Sequence, residues 1–344
     1  MHYVRKAFLV LASGLAAFFL FVTALDASVV RVVGSPEPIK KTLADSGLYD
    51  TVISSILQQI EQDASGSGEV AFGSQIVIDA ADSTLSGEYL ETTVSGVLDG
   101  IYRWLDGSVP VPDFKIDLAE KKEEFAKKVA DGVKKHVAAL PVCKTASSSE
   151  FDAFSAKCRP ANLSASQAAA EVRKQILKSS EFLEDTAITA DDLKAAGSDK
   201  PYFTEQLKDV PAAYQRFKAS PLALGIMAFL ALATVILLSS PKLVGLRNAG
   251  FILISGGVFL VLLALAINEM VDNKILSQID LENPVFEQDL RQLLSSIVKR
   301  LSNTLLAFGS GYGLLGGISI GSYYFMKHRR STPAVIKAAN KKGA

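Results

Sequence analysis

Apolar residues follow two patterns along the chain. In four stretches, roughly Ala7–Leu25, Pro221–Leu238, Ala249–Ile267 and Asn303–Met326, they occupy every face, and no Asp, Glu, Lys, Arg or His interrupts them. Each stretch approaches the roughly 20 residues with which a helix crosses a hydrocarbon core at about 1.5 Å per residue. Elsewhere apolar positions return every three or four residues, the period of a helix with one buried face. Leu48, Val52, Ile53, Ile56, Leu57 and Ile60 keep that spacing, as do Leu90, Val94, Leu98, Ile101, Tyr102 and Leu105 within Glu88–Leu105. The clearest case is Asp117–Leu140, with Leu118, Phe125, Val129, Val133 and Leu140 in one stripe. Glu123–Lys127, Glu124–Lys128 and Asp131–Lys135 are placed to pair at four-residue spacing there. The expected fold class is therefore all-α: a four-span transmembrane bundle with a large helical domain between the first and second spans.

Local signals refine the elements. Ser35-Pro36-Glu37-Pro38 stops one helix and starts the next, Ile39–Ala44. Ala64–Gly68 is a flexible connection, Ala71–Leu85 is ambiguous, and the prolines at 110 and 112 favour a short extended piece in Val109–Leu118. The lone Trp104 is expected in a core. Ser164–Leu177 predicts another helix, and Thr189-Ala-Asp-Asp192 resembles a capping box. Tyr202–Phe217 is expected to be helical despite Pro211 and to lead into the second span. Asn283 and Pro284 open a helix with Phe286, Leu290, Leu293, Leu294, Ile297 and Leu301 on one face. No breaker separates it from the fourth span, so one helix of about 65 Å is expected over 284–326, its apolar face on the main domain. The tail after Arg330 reads as short and disordered.

The charges separate by flank. The N-terminus, Ser239–Asn248 and the C-terminal tail hold Arg5, Lys6, Lys242, Arg247, Lys327, Arg329, Arg330, Lys337, Lys341 and Lys342 without one Asp or Glu. Residues 26–220 hold 30 acidic and 22 basic side chains, and 269–302 hold 6 and 4. Lys and Arg are retained on the cytoplasmic side, so Arg5, Lys6, Lys242, Arg247, Lys327, Arg329 and Arg330 act as topology determinants and both termini are expected inside. The resulting division is 1–25 anchor, 26–220 extracytoplasmic helical domain, 221–238 second span, 239–248 cytoplasmic loop, 249–267 third span, 268–302 extracytoplasmic amphipathic segment, 303–326 fourth span and 327–344 basic cytoplasmic tail. The first segment is a retained anchor or, with Val22-Thr23-Ala24 before a cut, a signal peptide; either exports the 26–220 domain. The cluster Lys327–Arg330 lies against a span, which makes it a juxtamembrane anchor rather than a nucleic-acid site.

Cys143 and Cys158 both fall in the exported segment, where one disulfide closing their loop is expected and two unpaired thiols are the alternative. Gly309, Gly313, Gly317 and Gly321 recur every four residues in the fourth span and are expected to form a helix-packing groove. Its partner is another span, for instance one containing Gly256-Gly257, or a second copy that makes a homo-oligomer. Gly311-Tyr312-Gly313-Leu-Leu-Gly316 matches a dinucleotide fingerprint, and Gly311-Tyr312-Gly313 part of a channel filter, but both lie in an ordinary hydrophobic helix. The spans carry no ionisable group of the kind that marks an ion route.

Catalytic, cofactor and metal sites are not expected. There is no HExxH, GxSxG or SxxK pattern, and His136 sits beside the 117–140 stripe as a structural residue. The acids Glu181, Glu184, Asp185, Asp191 and Asp192 do not follow a calcium-loop spacing. Asn162-Leu-Ser164 is a formal glycosylation sequon.

Two pieces carry a resemblance: Ser35-Pro-Glu-Pro-Ile-Lys-Lys-Thr-Leu-Ala-Asp-Ser-Gly-Leu-Tyr-Asp50, and Leu140-Pro141-Val142-Cys143 with Cys158-Arg159-Pro160. They resemble uncharacterised bacterial multi-pass membrane proteins in which such segments open and close part of an exported helical domain. The resemblance implies a bacterial plasma-membrane protein and supplies no catalytic residues. The functional expectation is a cell-envelope interaction, scaffold or sensory component that uses its exterior domain on an envelope protein or ligand. The alternative is an auxiliary subunit or pore of a transport system, and a third class is an envelope hydrolase working through two carboxylates.

Overall fold

The computed structural model describes residues 2–53, 55, 74–143, 151–178, 187–194, 200–271 and 284–340; side chains are described within these except at 2, 284, 285 and 330–340. The chain forms two compact units, one of residues 1–39, 213–279 and 294–344 and one of 40–212 and 280–293.

Among the described residues, the first unit holds four helices long and apolar enough to cross a membrane. They are α1 (His2–Val33), α7 (Val210–Leu238), α8 (Lys242–Met270) and α9 (Pro284–Asn340), the last with its first turns in the second unit. Each runs beyond the apolar stretch that predicts it, because charged residues outside a hydrocarbon core impose no end on a helix. α9 is unbroken for 57 residues, about 85 Å at 1.5 Å per residue. The tail expected to be disordered is helical as far as Asn340, where Ala334, Ala338 and Ala339 supply the strongest helix former.

α1 buries Ala12, Ala16, Leu20, Ala24, Ser28 and Val32, one residue every four. Beside α1, α7 runs antiparallel. Gly225 faces Thr23, Tyr214 Oη donates to Gly34 O at 2.8 Å, and Arg5 Nε donates to Leu238 O at 2.7 Å. Pro221 lies inside α7 and offers no N–H to Phe217 O, four residues back. Ser220 Oγ replaces that donor at 2.6 Å and lies 2.5 Å from Asp26 Oδ2, which ties the proline site to α1. Leu20, Ala228 and Leu253 form one apolar cluster; Ala24, Leu260, Ala264 and Leu305 form a second.

Among the described residues, the second unit is helical with one small ribbon. α2 (Pro36–Ala44) ends in a turn whose Gly47 has φ +77°, followed by helix at 48–53. Next come α3 (Gln75–Thr84), capped by Ser74, and α4 (Gly87–Leu105), capped by Ser86. The chain then forms β1 (Lys115–Asp117), α5 (Ala119–Ala139), α6 (Ala165–Lys178) and β2 (Ala187–Thr189). β1 and β2 pair antiparallel with Ile116 opposite Ile188, an amendment to the all-α expectation. The core joins Val77 and Ala81 of α3, Phe125, Val129, Val133 and Val137 of α5, and Val172 and Ile176 of α6. Trp104 is buried and meets Phe203 edge-to-face at 5.3 Å between ring centroids.

Two local readings change. The capping box belongs to Ser164 and Gln167 at the start of α6: Ser164 N donates to Gln167 Oε1 at 2.9 Å, and Gln167 N to Ser164 Oγ at 3.2 Å. Thr189 and Asp192 make a similar exchange, with Thr189 N donating to Asp192 Oδ2 at 2.7 Å and Asp192 N to Thr189 O at 3.3 Å, but it closes a turn after β2. Before α7, Tyr202–Gln206 is a short π-helix, and Pro211 stands at the start of α7, where its missing N–H costs nothing. Ile56, Leu57, Ile60, 64–68, Glu181, Glu184, Asp185 and the Asn283 cap lie outside the described residues.

Candidate functional site

The glycines of the fourth span divide into two groups. A Cβ placed on Gly309 would meet Gly257 O at 2.8 Å, and one on Gly316 would meet Gly250 O at 2.7 Å. At Gly313, Gly317 and Gly321 it would meet nothing within 4 Å. Of the expected groove Gly309, Gly313, Gly317 and Gly321, only Gly309 has its Cα face against another span; Gly313 offers its backbone N, 3.1 Å from a Cβ on Gly257. On α8 the partner is Gly257, while Gly256 is open. The contacts continue in register. Ser319 Oγ donates to Leu246 O at 3.0 Å, and the buried Ser302 Oγ donates to Ala264 O at 3.4 Å. Ser302, Gly309 and Gly316 thus face Ala264, Gly257 and Gly250, with seven residues between successive members on each antiparallel helix. Seven residues are two turns, so these positions stay on one line where four-residue steps drift off it.

The cations expected to share a side gather at one end of the first unit. Arg5 holds the last carbonyl of α7 through its Nε–H. Arg247 and Lys327 both lie over the buried Tyr323 ring, 5.5 and 5.9 Å from its centroid, and Arg329 lies over Phe325 at 5.8 Å. The Arg247 Nε–H is buried without an acceptor, so that side chain is held by the ring face and its neighbours. Lys6 and Lys242 are exposed, and the Arg330 side chain lies outside the described ones.

A lateral groove of about 340 Å³ lies between α1 and α9 in the same unit, lined by Arg31, Thr304, Phe308, Gly311, Tyr312 and Leu315 with Ala307. One wall is fixed by Tyr312, whose Oη donates to Leu20 O at 3.1 Å.

In the second unit, Cys143 and Cys158 form a disulfide with Cα atoms 5.1 Å apart. The segments that it ties are already held together: Cys143 N donates to Arg159 O and Arg159 N to Pro141 O, both at 2.8 Å. The start of α9 is held beside the Gly47 turn, where Thr51 Oγ1 donates to Asp289 Oδ2 at 2.6 Å and Gln292 Nε2 to Asp45 O at 3.0 Å. The start of α9 up to Leu293 therefore belongs to this unit.

α5 and α6 enclose a surface groove of about 300 Å³ lined by Lys127, Ala130, Asp131, Lys134, Ser166 and Arg173 with Ala169 and Ala170. Arg173 pairs with Glu123, so Glu123 reaches across to α6 instead of to Lys127. Lys127 and Lys134 pair with no carboxylate among the described residues. Glu124 accepts from Lys121 at 2.7 Å and Lys128 at 2.8 Å, and these bonds lower its pKa from the ordinary value. Asp117 is lowered chiefly by the Ala119 N–H and Asp192 by the Thr189 hydroxyl; Asp82 is raised by burial, with Asp79 adding to the effect. Tyr49 is raised by burial and Glu91, and its buried hydroxyl has no hydrogen-bond partner among the described residues. His136 is half-buried, with Nε2 buried and unpartnered among the described residues. No group of three or more His, Cys, Asp or Glu able to hold a metal occurs among the described residues. No family model matches the chain, and no curated protein or solved structure matches it either.

Proposed function

We propose that the chain is a multi-pass plasma-membrane component of the bacterial cell envelope, with both termini in the cytoplasm and the second unit on the opposite side. There it acts as an interaction, scaffold or sensory module toward an envelope protein or an exterior ligand. The α5/α6 groove carries this reading: beside Asp131 and the Glu123-paired Arg173, its lining holds Lys127 and Lys134, which pair with no described carboxylate, on a segment whose net charge is −8, so the two lysines favour an acidic group of a partner. The disulfide fits an oxidising compartment. The gathering of Arg5, Arg247 and Lys327 at one end of the first unit fits a cytoplasmic face. The test is a photocrosslinking residue at Ala170 in intact cells. A discrete adduct that disappears when Lys127 and Lys134 are both changed to Glu supports the reading, and adducts indistinguishable from those of a surface control position defeat it.

A further inference from the structure

The groove between α1 and α9 has a polarity that the packing of the bundle does not explain. One end carries Arg31; the rest is lined by Ala307, Phe308, Gly311, Tyr312 and Leu315. Gly311 leaves a notch, since a Cβ there would meet nothing within 4 Å. From Thr304 to Leu315 α9 rises about 16 Å, close to the thickness of one hydrocarbon leaflet. The groove volume of about 340 Å³ falls in the range of small-ligand sites. Its lining on α9 lies within the candidate span Phe286–Arg329.

Arg31 is exposed, makes no ion pair with a described residue, and stands beyond the apolar stretch that ends at Leu25. It is about 39 Å along α1 from Arg5, so it does not belong to the gathered cations that would set orientation. A guanidinium at this level matches the planar, bidentate geometry of a phosphate. The Thr304 hydroxyl donates to Arg300 O at 2.9 Å, which leaves Arg31 as the cationic donor of the lining.

We propose that this groove holds one anionic phospholipid of the surrounding bilayer, with its phosphate on Arg31 and an acyl chain laid over Phe308, the Gly311 notch and Leu315. Charge selects the headgroup, and the apolar floor selects a chain. A free phosphate would gain only the exposed Arg31 contact, whereas a lipid adds the area it buries on the floor. The proposal needs membrane insertion alone and is independent of the role assigned to the α5/α6 groove.

The test uses the full chain in nanodiscs of phosphatidylcholine alone or mixed with phosphatidylglycerol, with native mass spectrometry of the released protein and thermal denaturation in the discs. The expected result is one retained phosphatidylglycerol and a higher Tm in the mixed discs. Arg31→Gln should weaken that retention on the order of tenfold, as loss of a charge-assisted bond implies, while Arg31→Lys keeps part of it. Gly311→Leu should remove the adduct by filling the notch, with a Tm in phosphatidylcholine discs no lower than the parent's, which shows that it folds. Undiminished retention in Arg31→Gln overturns the proposal, as does no preference for phosphatidylglycerol. A second copy of the chain in place of the lipid overturns it too. So does an equal rise in Tm from inorganic phosphate added to phosphatidylcholine discs, which would make the ligand a soluble anion.

Discussion

Replacing Gly257 by Ala adds one methyl group at the narrowest point of the α8–α9 seam. That carbon would sit 2.5 Å from Gly309 O and 3.1 Å from Gly313 N, both backbone atoms. Ordinary contact begins at 3.4 Å, and neither atom can swing aside as a side-chain tip would. The helices must therefore part locally by about 0.9 Å. A gap of about 0.5–1 Å already forfeits a quarter to a half of each dispersion contact it opens. Over the neighbouring pairs Gly250 with Gly316 and Ala264 with Ser302, this gives a loss of about 1–3 kcal/mol, the usual range for overpacking. Gly313→Ala and Gly317→Ala are the controls. Both positions are open, so the only sizeable term is the better helix propensity of Ala, a gain of up to about 1 kcal/mol.

The assay is thermal denaturation of the full chain in one mild detergent, followed by helical circular dichroism, with the oligomeric state read by light scattering. Gly257→Ala is expected to lower Tm by several degrees, and Gly313→Ala and Gly317→Ala to leave it unchanged or slightly raised. If Gly257→Ala matches the parent, the close seam is not a determinant of stability. If Gly317→Ala costs as much as Gly257→Ala, or changes the oligomer, the four-residue glycine row is a contact surface after all and the argument from open space fails.

Three further outcomes concern the second unit and α1. Changing Cys143 and Cys158 together to Ser should cost about 2–3 kcal/mol for a 15-residue separation, seen as easier proteolysis of the second unit, and unchanged resistance would refute this. The folded-state pKa values of Glu124, Asp117 and Asp192 are lowered, so their contribution is present above the ordinary carboxyl range and lost as pH falls through the folded values. The unit should therefore melt earlier below about pH 4, and Glu124→Gln should remove part of that acid sensitivity; the Glu124 side chain is 36% exposed, so solvent screening keeps its share under about 1 kcal/mol. Finally, Ala24 is fully buried among Leu260, Ala264 and Leu305. Cutting after it would strip a packed helix from the bundle, so the mature protein should retain its N-terminus in intact-mass measurement, and a mass lacking 1–24 would contradict that.

The helical elements were legible because their signals are local. Val129 and Val133 at four-residue spacing and the Ser35-Pro36-Glu37-Pro38 stop-and-start signal each act within a turn or two, whereas α3 falls in Ala71–Leu85, whose pattern is ambiguous. β1 lies in the extended piece expected within Val109–Leu118, but β2 and the pairing were not legible, because Ile116 and Ile188 are 72 positions apart and a three-residue strand carries no periodicity of its own. Ion pairing showed the same limit. Glu124 and Lys128 paired as spacing suggests, whereas Glu123 turned to Arg173, which helix spacing cannot bring into view. The two capping patterns illustrate competition. Thr189 lies in a strand before its exchange with Asp192 begins, and Ser164 precedes a run of Ala that continues as helix.

Within the chain, the four-residue glycine row is not the α8–α9 seam, for a geometric reason that also points to the better signal. Four steps of 3.6-residue helix leave each glycine about 40° further round, so Gly309, Gly313, Gly317 and Gly321 sweep across the surface of a straight helix. Seven-residue steps drift by only about 20°, and Ser302, Gly309 and Gly316 remain under one neighbour along several turns. The matching set Gly250, Gly257 and Ala264 is visible in the third span by the same step. α1 does use a four-residue row, Ala12 to Val32. It can do so because its neighbours change along its length, from Leu253 and Ala228 near Leu20 to Leu260 and Leu305 near Ala24. A row that turns across the surface serves a helix wedged among several partners, and a straight row serves a helix held against one. In a chain with several apolar helices, the spacing of small residues thus reports how many neighbours a span has before it reports which they are.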